Sequence, residues 1–105
     1  MDFQFSNLLK SKYPNKIPVI IYSKEIELRK RKYLIEAQMT LGQLMYIVRK
    51  NMINVNENEA LFLFTKNNKL LRMSCMFCMI SLDEYNDDGF LVFTLTKENT
   101  FGIIV

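Results

Sequence analysis

Short apolar runs separated by polar stretches predict that this chain folds as an α+β domain. β-branched, aliphatic and aromatic residues are concentrated in runs that predict strands at 17–22, 32–36, 60–65 and 90–96. The first two runs are joined by a charged connector and predict a hairpin. Pro18 is expected near the start of its strand, because proline cannot donate to a ladder. After a turn at 66–69, Leu70 and Leu71 are expected to continue the pairing of the third strand.

The strongest helical pattern lies at 39–52. Thr40 and Gln43 have the spacing of a capping box, in which each residue satisfies a backbone donor of the other. One face of this helix carries apolar residues at the i, i+3, i+4, i+7 spacing, namely Leu41, Leu44, Met45, Val48 and Met52. A second core-facing helix is predicted at 73–85, which is dense in methionine. A short helix at 4–12 is predicted to end before Pro14.

The predicted order is a short helix, two strands, a helix, a strand, a helix and a strand. A hairpin, a crossing helix and a return strand are the layout of a β-grasp, in which one sheet wraps around a helix. Layered α+β packing follows from this pattern, whereas the exact strand order does not. With 105 residues and no linker rich in Gly, Pro or Ser, the chain is expected to form one domain.

Charge and targeting signals narrow the classes of partner. The formal net charge is +3, which is too small to predict nucleic-acid binding. Basic residues are concentrated in the first third and acidic residues later, so we expect a basic side and an acidic side. The basic run 29–32 is either a solvated face or a docking surface for an acidic partner.

No apolar run reaches the roughly 18 residues of a membrane helix and no secretory signal is apparent, so reduced cytosolic thiols are expected.

The sequence lacks the residue type that serves most often in acid–base catalysis. There is no histidine, which removes the usual general base and the commonest zinc ligand. Cys75 and Cys78 have the spacing of a metal or redox pair, but a four-coordinate zinc site needs two more soft ligands. We therefore interpret Cys75 and Cys78 as two small apolar residues packed on a helix. The acidic pairs 83–84 and 87–88 are interpreted as solvated surface. Binding is favoured over catalysis, and neither a cofactor nor a metal is expected.

Four separated stretches resemble a known family in order and spacing. They are "KYPNKIPVI" at 12–20, "KRKYLIEAQMTLGQLMYIVRK" at 30–50, "EALFLF" at 59–64 and "DDGFLVFTLTKENTFG" at 87–102. Together they resemble the autophagy-related ubiquitin-like modifiers, whose animal members include GABARAP. The resemblance implies a ubiquitin-like β-grasp with a four-stranded mixed sheet packed on helices. The domain would be 1–102, with a shortened N-terminal helical extension in place of the additional helix usual in the family.

The resemblance also implies a fate for the C-terminal tail. A cysteine protease would remove 103–105 after Gly102, with Phe101 at the position before the cut. Activating and conjugating enzymes would then carry the glycine as a thioester and join it to the amine of phosphatidylethanolamine. The protein would be cytoplasmic, and would lie on autophagosomal or other intracellular membranes once lipidated. The alternative is that Gly102 only bends an ordinary frayed terminus.

A second implied function is capture of cargo receptors and adaptors that carry aromatic-x-x-aliphatic motifs. The motif would pair through backbone hydrogen bonds with the sheet edge at 32–35. The aromatic pocket would be lined by Leu9, Pro18, Ile20, Lys32, Leu34 and Phe90. The aliphatic pocket would be lined by Tyr33, Ile35, Met39, Leu44, Ile47 and Val48. Acidic residues flanking the motif would meet Lys16, Lys30, Lys32 and Arg49.

Alternatives to these assignments stay open. Each apolar pocket residue has core packing as its alternative, and Ile47 is the informative one because it lies off the main buried stripe of its helix. Glu36 stands where a proline is common in the family, and a buried unpaired carboxylate there would weaken apolar ligands. Two other function hypotheses are a non-conjugated ubiquitin-like peptide-binding adaptor and a modifier conjugated to protein.

Overall fold

The apolar runs of the sequence form a four-stranded mixed sheet. The computed structural model describes residues 15–53, 56 and 58–97. Its main sheet has the order β3-β1-β6-β5, in which β1 pairs with β3 antiparallel and with β6 parallel, and β5 pairs with β6 antiparallel. The strands are β1 (Lys16–Tyr22), β3 (Lys32–Glu36), β5 (Leu61–Thr65) and β6 (Leu91–Lys97). A small second sheet pairs β2 (Glu27–Leu28) with β4 (Met52–Ile53). The predicted hairpin of the first two runs is confirmed.

One face of the main sheet packs against the α-helix α1 (Leu41–Lys50). The core between them includes Val19, Ile21, Leu44, Val48 and Phe93, each with 0% of its surface exposed. Phe77 closes this core, with its ring edge-to-face against Phe93 at a centroid separation of 6.2 Å. Burial of these side chains is the main stabilising term of the fold.

The N-terminus of α1 has the predicted capping box. Thr40 N donates to Gln43 Oε1 over 2.8 Å, and Gln43 N donates to Thr40 Oγ1 over 3.2 Å. The four predicted residues of the buried stripe within α1 are buried. The predicted helix was two residues too long at its C-terminal end. Met52 belongs to β4, where it pairs with Leu28, so the helix ends at Lys50.

The prediction of a second helix at 73–85 was wrong. The structure has two short 3₁₀ turns there, Phe77–Met79 and Leu82–Glu84, joined by extended backbone. Phe77 N donates to Met39 O over 2.9 Å and Cys78 N to Ala37 O over 2.9 Å, so both donors bond outside their own segment. Met79 and Leu82 are 71% and 83% exposed, so the segment does not present all its apolar residues to the core.

The two cysteines are therefore not neighbours on an α-helix. Cys75 is half-buried against the core cluster, whereas Cys78 is exposed. Among the described residues, no group of three or more His, Cys, Asp or Glu side chains is placed to hold a metal ion. Within the same part of the chain, no helix has both the length and the apolarity to cross a bilayer. The predicted helix at 4–12 lies outside the described residues.

The turn after β5 is held by a buried carboxylate. Leu70 forms a bridge with Phe64, so the predicted continuation of the pairing is confirmed for Leu70 but not for Leu71. Glu84 is 2% exposed, and its Oε1 accepts from Asn67 Nδ2 over 3.1 Å. Its Oε2 lies 3.5 Å from Lys69 Nζ. A hydrogen bond from the Thr65 hydroxyl lowers the pKa of Glu84. Burial raises this pKa, the Lys69 ammonium lowers it, and the net shift is downward. Glu84 therefore ties the Leu82–Glu84 turn to 65–69.

We expect Glu84→Gln to lower the free energy of unfolding at pH 7, because the ionised form is the one that its neighbours stabilise. The folded pKa of Glu84 is depressed, so its contribution is present above the unfolded pKa and is lost as pH falls through the folded value. The difference between wild type and Glu84→Gln should therefore shrink on acidification. Urea unfolding between pH 7 and pH 3 measures it. The exposed neighbour variant Asp83→Asn is the control, and a pH-independent difference would contradict the prediction.

Candidate functional site

Strand β3 lies at one edge of the main sheet. It pairs with β1 only, so its outer side has no strand partner within the described residues. An unpaired edge presents backbone N–H and C=O groups that can pair with another extended chain. The edge segment predicted at 32–35 falls within β3 (Lys32–Glu36). The structure thus has a place where a peptide can add as a strand.

Four of the residues predicted for the aromatic pocket lie on one face of the β1–β3 pair. The register sets Pro18 opposite Leu34 and Ile20 opposite Lys32, and directly opposed residues share a face. Ile20 and Phe90 are 4% and 1% exposed, yet neither belongs to the core cluster beneath α1. Leu34 is half-buried and Lys32 is exposed, so these two supply the accessible surface. Leu9 lies outside the described residues.

The residues predicted for the aliphatic pocket lie on the other face, between β3 and α1. Tyr33 and Ile35 alternate with Lys32 and Leu34 along the strand and are buried in the core cluster. Leu44 and Val48 are fully buried, whereas Met39 and Ile47 are partly buried and pack against the same cluster. Accessible surface on this face therefore comes from Met39 and Ile47, and the other four residues form the support behind it.

Tyr33 is held at the base of this site. Its hydroxyl donates to Lys30 O over 2.9 Å, and Lys30 Nζ lies 5.0 Å from the ring centroid. Burial, partly offset by the Asn51 side chain, raises the pKa of Tyr33. The phenol therefore stays neutral at physiological pH and keeps its donor hydrogen bond.

The four basic residues predicted to meet acidic flanks differ in their surroundings. Lys16 Nζ lies 3.7 Å from Glu36 Oε1, and Arg49 Nη2 donates to Glu59 O over 3.0 Å. An acidic ligand would have to compete for these two. Lys30 and Lys32 belong to the exposed basic run 29–32 beside the edge. The Glu36 side chain is 64% exposed and paired with Lys16, so the cost expected for a buried unpaired carboxylate does not arise.

Two residues that sequence reasoning missed contact the end of β6. Ser23 Oγ donates to Leu95 O over 2.9 Å, and Lys97 N donates to Glu25 Oε1 over 2.8 Å. Each pair is separated by 72 positions, so no local pattern marks them. Gly102 and Phe101, the residues predicted to be processed, lie outside the described part of the chain, as does 103–105.

A four-stranded mixed sheet with one helix across a face defines the chain as a ubiquitin-like β-grasp protein. The family described as "Autophagy protein Atg8 ubiquitin like" matches residues 3–102. The chain therefore belongs to the Atg8 family, and the resemblance found in its sequence is confirmed. The expected β-grasp is confirmed as well, with one α-helix in the described region.

Individual relatives agree with this assignment. Autophagy-related protein 8c of Arabidopsis thaliana is 39% identical over 103 residues, which cover 94% of this chain and 85% of that protein. Autophagy-related protein 8B of Oryza sativa subsp. indica is 37% identical with the same coverage of both chains. The crystal structure of Trypanosoma brucei ATG8 is similar with a TM-score of 0.78 and 27% identity, covering 91% of this chain and 84% of that one.

The burial differences predict distinct effects for two neighbouring helix residues. Leu44→Ala should lower the free energy of unfolding by about 2–5 kcal/mol, because it leaves a cavity in a closed core. Ile47→Ala should cost only roughly 1 kcal/mol, because the side chain is already partly in water. Urea unfolding followed by circular dichroism measures both. Equal losses would show that Ile47 is a core residue rather than an accessible site residue.

Proposed function

We propose that this protein is a ubiquitin-like modifier that is joined through Gly102 to phosphatidylethanolamine and acts in autophagosome formation. The observation that carries the proposal is the family match, which extends along almost the whole chain and ends at residue 102. Lipid attachment would place a protein on intracellular membranes through two acyl chains and would need no membrane-spanning helix. Before attachment it would be cytoplasmic.

The chemistry assigned to the tail needs an exposed glycine carboxylate. A cysteine protease would hydrolyse the peptide bond after Gly102 and release 103–105. An activating enzyme would use a nucleoside triphosphate to convert the Gly102 carboxylate to a mixed anhydride, and an enzyme thiol would displace the nucleotide leaving group to form a thioester. The thioester would pass to a conjugating enzyme, and the lipid amine would displace the thiol to form an amide. Glycine suits a narrow catalytic slot because it lacks a side chain and tolerates backbone angles that other residues resist.

Peptide capture is the second part of the proposal, and the geometry of β3 supports it. A partner strand added to this edge would alternate its side chains between the two faces of the sheet. Residues at i and i+3 would then point to opposite faces, about 10 Å apart along the strand. Leu34 lies on one face, and Met39 and Ile47 lie on the side of the other. An aromatic-x-x-aliphatic motif of a cargo receptor or adaptor has the odd spacing that this arrangement requires.

The open edge also supports the alternative function, a peptide-binding adaptor that is not conjugated. Both hypotheses use the same edge, and they differ only in the fate of the tail. The mass of the mature protein from its own cells separates them. Loss of 103–105 together with the added mass of the lipid supports the modifier, whereas an intact tail supports the adaptor.

We expect Gly102→Ala to abolish membrane attachment when the protein is expressed with its processing and conjugating enzymes. The added methyl group obstructs passage of the tail through the catalytic slot. The membrane-bound fraction after flotation should fall from a substantial share to background, while Thr100→Ala, the matched control in the same tail, should stay near wild type. Equal membrane-bound fractions for wild type and Gly102→Ala would contradict the proposal.

We expect Leu34→Glu to weaken binding of a synthetic peptide with a Trp-x-x-Leu core by at least about tenfold, because a charge replaces an apolar contact at the edge. Leu82→Glu is the matched control. It makes the same substitution at a leucine that is 83% exposed and lies outside β3, so affinity should stay within about twofold. Isothermal titration calorimetry measures both. Equal affinities of the two variants would argue against binding at this edge.

A further inference from the structure

The C-terminal end of β6 is held by side chains where its neighbouring strand stops. The parallel pairing of β1 with β6 reaches Tyr22↔Thr94, whereas β6 continues to Lys97. On its other side β6 stays paired with β5 as far as Leu61↔Lys97. On the β1 side, the Ser23 hydroxyl donates to Leu95 O over 2.9 Å, and Glu25 Oε1 accepts from Lys97 N over 2.8 Å. The loop after β1 therefore supplies the hydrogen-bond partners that a neighbouring strand would provide on this side of β6.

A second carboxylate holds the same residue by its side chain. Lys97 Nζ lies 3.7 Å from Glu59 Oε1, with both side chains about two-thirds or more buried, at 30% and 26% exposure. The backbone carbonyl of Glu59 accepts from Arg49 of α1 over 3.0 Å. Ser23 Oγ also accepts from Ile26 N over 3.0 Å, which folds the loop on itself. We call Ser23, Glu25 and Glu59 the β6 clamp.

The β6 clamp holds Lys97, the last residue of β6. A hydrogen bond from a backbone N–H to a carboxylate is roughly twice as strong as one to a neutral acceptor. Water could satisfy the Lys97 N–H at this exposed position, so the role of the Glu25 carboxylate is to fix the position of the Lys97 backbone. Four residues, 98–101, lie between Lys97 and Gly102, so Gly102 is five peptide steps from Lys97. Five fully extended steps span at most about 18 Å.

We propose that Glu25 is a positioning residue for tail processing and conjugation, which fixes the backbone of Lys97 five positions before Gly102. This inference rests on the proposed function. Glu25 touches neither the reacting carbonyl nor the lipid, and it acts through Lys97. The partners that would depend on this positioning are the enzymes that bind the folded domain and receive its tail.

Opening the β6 clamp would leave the Lys97 N–H without its acceptor, while Leu95 stays in the core and Leu95–Lys97 stay paired with β5. This end of the strand would then be held on its β5 side only. The direction in which the backbone leaves Lys97 would be less well defined. Productive placement in an active site requires orientation as well as proximity, so a less defined direction would slow the reaction.

The test compares three variants in release of 103–105 and in thioester formation, using the processing and activating enzymes of the same cells. Glu25→Ala should lower kcat by about threefold to tenfold and leave KM within about twofold, because docking of the body is unchanged. Glu25→Gln should lie between Glu25→Ala and wild type, since its amide oxygen can accept the same N–H bond but lacks the added strength of a carboxylate. Glu27→Ala, which removes an exposed carboxylate from β2, is the charge-matched control and should resemble wild type.

Amide hydrogen exchange gives a readout that is independent of the enzymes. The Lys97 N–H should exchange about tenfold faster in Glu25→Ala than in wild type or Glu27→Ala, with Glu25→Gln between them. Affinity for the Trp-x-x-Leu peptide should be unchanged in all three variants, because the clamp lies at the end of β6 and not on β3.

Three outcomes would overturn the inference while leaving the proposed function intact. They are wild-type kinetics for Glu25→Ala, an effect confined to KM, and equal impairment of Glu25→Gln and Glu25→Ala. A wild-type protein that is never trimmed or conjugated would overturn the proposed function, and this inference would fail with it. Rapid Lys97 exchange already in wild type would show that the β6 clamp is not closed in solution.

Discussion

The parallel pairing of β1 with β6 is the constraint on which the rest of the structure depends. These strands occupy the middle of the sheet, and Val19 and Ile21 face Leu91 and Phe93 with none of the four exposed. Because the pairing is parallel, the last strand leaves the sheet at the same end as the first. The loop after β1 therefore lies beside the end of β6, and a hydroxyl and a carboxylate 72 positions away can hold it. The buried centre of the sheet and the side-chain contacts at the end of β6 have the same origin.

The same topology leaves β3 at an edge with different surroundings on its two faces. Strand alternation directs Leu34 to one face and Tyr33 and Ile35 to the other, where α1 lies. Fully buried residues such as Leu44 hold the helix in place, and Met39 and Ile47 remain partly accessible beside it. Sheet geometry thus leaves accessible side chains on both faces beside the unpaired edge, and the core supports them without being part of that surface.

The segment 73–78 shows how tertiary hydrogen bonding overrides a helical pattern. Its carbonyls at Met73 and Cys75 accept from Gly42 N over 2.8 Å and Leu41 N over 3.0 Å, the first donors of α1. With the Thr40 capping box, these bonds satisfy the N–H groups that a helix start leaves unpaired. An α-helix over 73–85 would have consumed the same carbonyls internally. The chain instead forms turns and a short 3₁₀ turn here, and Met79 and Leu82 remain on the surface.

Local physical signals made the strands, the capping box and the buried stripe of α1 predictable from the sequence, because each depends on residues a few positions apart. The resemblance carried by four separated stretches also predicted the family and the sheet. What only the tertiary structure decided depends on residues far apart in the chain: the exposure of Met79 and Leu82, the pairing of Glu36 with Lys16, the burial of Glu84 beside Lys69, and the contacts of Ser23 and Glu25 with β6. Burial and partner choice are properties of the packed whole, since the same side chain is core, surface or site according to what the fold brings beside it.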